Sequence, residues 1–89
     1  MTSRTTQRFR KALQQLPADV RARARFAYTL FSQDPWHPAL HFKQVHPVEP
    51  IYSARVGLGY RALAVRDGDA VIWFWIGSHA DYDHLLAQR

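Results

Sequence analysis

The stretch IYSARVGLGYRALAVRDGDAVIWFWIG, Ile51–Gly77, decides the fold. It consists of runs rich in β-branched and aromatic residues, broken only at Gly57–Gly59 and at Asp67-Gly68. Such runs read as strands, near 51–56, 60–66 and 70–76. Gly-Leu-Gly is a three-residue hairpin loop, and Asp-Gly is a strong two-residue hairpin signal. The first loop sets a register that puts Val56 opposite Tyr60 and Arg55 opposite Arg61. Two arginines directly opposed on one face repel. Splayed side chains or a nearby carboxylate would relieve this, and so would a phosphate, whose oxygens suit the arginine fork. The Asp67-Gly68 turn then places Arg61 near Phe74. On that register Leu63, Val65, Ile72, Phe74 and Ile76 share the arginines' face, and Tyr60, Ala62, Ala64, Trp73 and Trp75 take the other. A one-residue change in either loop exchanges the faces, so which is which stays open. Both are apolar. Two helices can cover only one, which leaves the other for something else, such as a partner chain.

Upstream the periodicity is helical. Phe9, Leu13 and Leu16 mark a helix over 5–16, and Val20, Ala24, Ala27 and Phe31 mark a second that starts at Leu16-Pro17-Ala18-Asp19 and ends at Ser32-Gln33-Asp34-Pro35. The pair forms a helical hairpin around Pro17. The segment from Asp34 to Phe42, with two prolines, is a connector. A strand near 41–46 and a turn at His46–Pro50 follow. Beyond Gly77 the chain leaves the sheet in a short helical turn, 80–87. Helices first and strands afterwards mean α+β: an N-terminal helical hairpin on a mainly antiparallel sheet of about four strands, with the last strand central.

With 89 residues the chain makes one domain, 1–89. Hydrophobic residues at 47% and charged residues at 21% are a globular balance. The formal net charge of +5 favours an anionic partner, nucleic acid first and an acidic protein segment second. The absence of cysteine excludes disulfides and thiolate metal sites. No apolar run reaches the roughly 18 residues of a membrane span, and the N-terminal segment lacks the apolar core of a signal peptide. The expectation is a soluble cytoplasmic protein that uses no membrane.

Chemistry concentrates in Ser78–His84. His79 directly follows the last strand and suits general acid or base work, although a histidine there also serves as a plain surface residue. Tyr82 can donate a proton or stack on a base, or simply pack the terminal turn. Asp81 and Asp83 favour the start of a helical turn and, with His84, read as solvated. The spacing His79, Asp81, Asp83, His84 matches no metal-site pattern, and His37, His41 and His46 sit in loops and strand edges. No metal and no cofactor are expected. Lys43, on the first predicted strand, can reach a backbone phosphate or act as an edge lysine that discourages aggregation. Gly-Leu-Gly lacks the extended phosphate-loop motif, and no nucleophile-elbow signature is present.

Three segments, Leu16–Val45, Tyr52–Val65 and Val71–Asp83, together resemble the RelE/ParE superfamily of bacterial type II toxins, over roughly residues 8–86. The most telling pieces are DPWHPALHFK (Asp34–Lys43), Gly59-Tyr60-Arg61 and IGSHADYD (Ile76–Asp83). The resemblance implies a helical hairpin on an antiparallel sheet and a toxin neutralised by a cognate antitoxin. Family members begin with a strand before the first helix, for which Thr2–Gln7 is short and polar. The RelE-like branch cuts mRNA on the ribosome without a metal, by attack of a 2′-OH on the adjacent phosphate. On that pattern His79 is the acid or base, Arg61 and Arg55 are phosphate clamps, Tyr82 orients or stacks, and Lys43, Arg55 and Arg61 bind RNA. Neighbouring positions that carry lysines in some members are Ser53 and Ala54 here. On the register above, His79 reaches Arg61 only if the chain folds back at Gly77. The ParE-like branch shares the fold and instead poisons DNA gyrase, and an inactive member kept as a binding partner is a third reading.

Overall fold

The computed structural model describes residues 1–87. In chain order these form β1 (Thr2–Thr5), α1 (Gln7–Gln14), α2 (Ala18–Gln33), a single 3₁₀ turn (Pro38–Leu40), β2 (Lys43–Gln44), β3 (Ile51–Val56), β4 (Tyr60–Asp67), β5 (Ala70–Ser78) and α3 (His79–Ala87). The strands make one sheet in the order β1-β5-β4-β3-β2. The expected α+β architecture is therefore present, with five strands rather than about four, and β4 rather than β5 at its centre.

The fifth strand is the polar N-terminal segment. β1 lies parallel to β5 at the sheet edge, pairing Thr2 with Ala70 and Thr5 with Trp73. Its side chains contribute little apolar burial, so it gives no hydrophobic pattern. Tertiary bonds hold it: the Trp73 indole Nε1–H donates to Ser3 Oγ at 2.9 Å, and the Thr6 amide donates to Trp73 O at 3.0 Å. Thr6 also caps α1, accepting from the Phe9 amide at 3.1 Å, so the helix starts two residues later than its periodicity suggests.

The first hairpin forms as its glycines dictate. Arg55 pairs with Arg61 and Val56 with Tyr60. The second hairpin departs from expectation twice. Gly68, at φ +59°, takes the first loop position and Asp69 the second, so that Asp67 pairs with Ala70. Positive φ is readily adopted by glycine at that position, which draws the loop one residue along. A β-bulge between Leu63 and Ala64 then sets two residues of β5, Phe74 and Trp75, against one step of β4. Arg61 consequently faces Gly77, not Phe74.

The bulge also sorts the faces. Ala62, Ala64, Trp73 and Ile76 join Phe9, Phe31, Leu40, Phe42, Ala54 and Val56 in the main core beneath α1 and α2. Phe31 packs edge-on against both Phe42 and Trp73, with ring centroids 5.1 and 5.3 Å apart. Fully burying such a side chain contributes about 1.5–3 kcal/mol. Trp75 and Ile76 thus exchange the faces expected from simple alternation. The opposite face is covered by the chain itself. α3 turns back across it and packs Tyr82, Leu85 and Leu86 against Ile51, Leu63, Phe74 and Trp75. β2 is shorter than the expected 41–46 strand, because His41 takes a left-handed conformation at φ +48° before it. No helix among the described residues is long and apolar enough to cross a membrane.

Candidate functional site

The open end of the β4–β5 ladder carries the predicted residues. Because Arg61 faces Gly77 and Tyr60 faces Ser78, His79 starts directly beside the arginine's row. The His79 amide donates to Gly59 O at 2.7 Å, continuing the ladder by one bond, and Ser78 Oγ accepts from the Asp81 amide at 3.1 Å to open α3. The sequence expectation that His79 needs a fold-back at Gly77 is therefore replaced by a simpler geometry.

Arg61, Tyr82 and His79 stand in file. The Arg61 guanidinium carbon lies 5.7 Å from the centre of the Tyr82 ring, and that ring is 5.9 Å from the His79 imidazole. Tyr82 is buried, whereas His79 is exposed. Nη1 of Arg61 is buried without a hydrogen-bond partner. The Tyr82 ring thus has on one side a guanidinium with an unsatisfied nitrogen, a group that binds anions, and on the other an accessible imidazole, a group that exchanges protons. On the same face, Ser53 Oγ is also buried and unpaired.

Two further residues complete the arrangement. Asp83 Oδ2 lies 3.5 Å from His79 Nε2, one helical turn on, so it is the histidine's partner and not merely a solvated residue. Its i,i+4 spacing from His79 was the available signal, visible once residues 79–87 are treated as helix from the first residue. The Trp75 indole lies over Gly77: a Cβ on Gly77 would sit 2.7 Å from Trp75 Cζ2. A strand glycine marks this close approach. It keeps the indole against the residue that faces Arg61.

Arg55 and Lys43 stand apart from this file. Although Arg55 pairs with Arg61 in the backbone, its side chain turns toward the loop, with Nε–H donating to Gly57 O at 3.1 Å and Nη1 3.5 Å from His41 Nε2. Splaying relieves the repulsion between the two arginines. Lys43 pairs with Ser53 on the exposed edge strand, two strand spacings or about 10 Å from β4. No group of three or more His, Asp or Glu residues among the described residues is arranged to hold a metal ion.

The profile of the ParE-like toxin domain matches residues 18–84. A search of curated proteins found no sequence match. Among solved structures, the chain is similar to one in the RelB–RelE antitoxin–toxin complex from Methanococcus jannaschii, with a TM-score of 0.72 and 22% identity over 90% of this chain and 95% of that one. It is similar to one in the toxin–antitoxin complex RelBE2 from Mycobacterium tuberculosis, with a TM-score of 0.67 and 27% identity over 88% and 96%. The isolated Escherichia coli RelE toxin matches with a TM-score of 0.64 and 16% identity over 98% and 96%.

Proposed function

The chain belongs to the ParE-like toxin domain family, and from that premise we propose that it is the toxin of a type II toxin–antitoxin system that cleaves mRNA on the ribosome. The observation that carries the reading is the buried, unpartnered Nη1 of Arg61 in file with Tyr82 and His79. Complexes of similar chains with antitoxins support a cognate antitoxin as the protein partner.

The reaction is metal-independent transesterification. A 2′-OH loses its proton, its oxygen bonds to the adjacent phosphorus, and the bond to the 5′ oxygen breaks as that oxygen takes up a proton. Arg61 holds the phosphate oxygens as charge accumulates on them. His79 gives or takes the proton. Asp83 engages Nε2 of His79, which leaves Nδ1 for the exchange. Asp83 is thus a positioning residue. Tyr82 backs the guanidinium with its ring, a cation–π contact worth about 0.5–2 kcal/mol. Trp75, over Gly77, offers a flat surface beside the phosphate. Lys43 serves the strand further out on the same face.

The test is induced expression of wild type, Arg61→Ala and His79→Ala with cleavage mapping of the messages. Growth arrest with codon-spaced cuts in the wild type only is the expected result. A second reading, inhibition of DNA gyrase, follows from the ParE-like character of the domain match. It predicts arrest with intact messages and damaged DNA, in both variants as in the wild type.

A further inference from the structure

A groove of about 420 Å³ opens beside the Gly57 corner, between α2 and the end of β3. Two cationic side chains converge there. Arg23, from α2, lies so close to Gly57 that a Cβ on the glycine would sit 2.8 Å from its Cδ. Gly57 is at φ +63°, so the loop both demands glycine and uses the missing side chain to admit the arginine. Arg55 reaches the same residue from the strand side, through its bond to Gly57 O. β2 pairs with β3 only at Tyr52 and Ser53, and the edge past them is open, which lets Arg55 turn out of the sheet. No carboxylate lines the groove, and neither arginine forms an ion pair among the described residues. At the groove, Phe26 is 71% exposed and Leu58 is 83% exposed.

Unpaired cations beside an exposed aromatic ring are what a single-stranded nucleic acid engages: guanidinium groups take phosphates, and a ring of any kind takes a base. Two cations that line one groove without a carboxylate, on a chain of net charge +5, are stabilised by an anion bound between them. Arg55 is the cross-strand neighbour of Arg61 in the backbone, but its side chain turns away over the sheet edge, so the groove lies on the α2 side of the sheet and the Arg61 site on the α3 side. We infer that Arg23, Arg55 and Phe26 form a second RNA subsite, in which the two arginines hold a backbone phosphate and Phe26 stacks on a base. This rests on the mRNA-cleavage reading and adds to it a second anchor for the strand, on the helix side of the sheet.

The experiment measures binding of a short single-stranded RNA, made uncleavable by 2′-O-methyl groups, by fluorescence anisotropy as a function of salt. Arg23→Gln and Arg55→Gln should each flatten the plot of log K against log salt, by up to about 0.7, because the one phosphate they share contributes about that much on a single strand. Phe26→Ala should weaken binding by roughly fivefold or more with the slope unchanged. Arg25→Gln, exposed on the same helix but outside this groove, should leave the slope as in the wild type. Message cleavage by the wild type is scored in parallel. Cleavage with slopes unaltered by Arg23→Gln and Arg55→Gln overturns the subsite alone. Neither binding nor cleavage by the wild type overturns the nuclease reading and the subsite with it. Unaltered slopes together with weaker capture of a protein partner by Arg23→Gln assign the groove to protein and overturn the proposal.

Discussion

The two faces of the sheet are built to different standards. Beneath α1 and α2, Phe9, Phe31, Phe42, Val56 and Trp73 interlock in an apolar core. Across the sheet, on the face that α3 packs against, two buried polar atoms lack partners, Ser53 Oγ and Arg61 Nη1. Leaving a buried donor unsatisfied costs about 1–3 kcal/mol. The first face is apolar packing throughout, whereas the second forgoes stability at two polar atoms, one of them in the arginine proposed above for the site.

Substitutions on either face test that contrast. The largest expected effect lies in the main core: Phe31→Ala should destabilise by about 3–5 kcal/mol in urea unfolding, because Phe31 is 2% exposed and bridges Phe42 and Trp73. Arg61→Met removes a guanidinium with an unpaired buried nitrogen and keeps much of its stem. Its unfolding free energy should stay within about 1 kcal/mol of wild type while message cleavage disappears. A loss above about 2 kcal/mol would make Arg61 a fixture of the fold and erase the distinction between the faces. The smallest effect belongs to Ser53→Ala, which deletes a buried, partnerless hydroxyl at 0% exposure. A gain of a few tenths of a kcal/mol up to about 1 is expected, read as a higher urea midpoint at unchanged slope.

Legibility in the sequence followed the range of the interactions. Both helices, the first hairpin and the Arg55–Arg61 pairing rest on local patterns, namely apolar spacing and a glycine-bounded loop. What escaped is tertiary. β1 is polar and exists because β5 presents a backbone edge and an indole to it. The bulge at Phe74 and the shifted loop at Gly68 each displace the register by a small step, and together they move Arg61's partner from Phe74 to Gly77. The residues proposed for the site, His79, Arg61 and Tyr82, are brought together as a group. Arg55 faces Arg61 by backbone only, and Asp83 became visible as a partner once α3 was seen to begin at His79.

The parallel pairing of β1 with β5 also sets the order of events as the chain is synthesised. Thr2–Thr5 find their partners in Ala70–Trp73, so this strand waits for residues made much later. Contacts of such sequence separation close late, because loop entropy opposes them until most of the sheet is in place. α1 and α2 emerge early without the floor on which they pack, since β3 to β5 all follow them. His79 and Tyr82 emerge later still. A nascent chain on the ribosome therefore carries both helices well before it carries a site, and the step that locks the sheet edge comes only once the strand leading to His79 has been made.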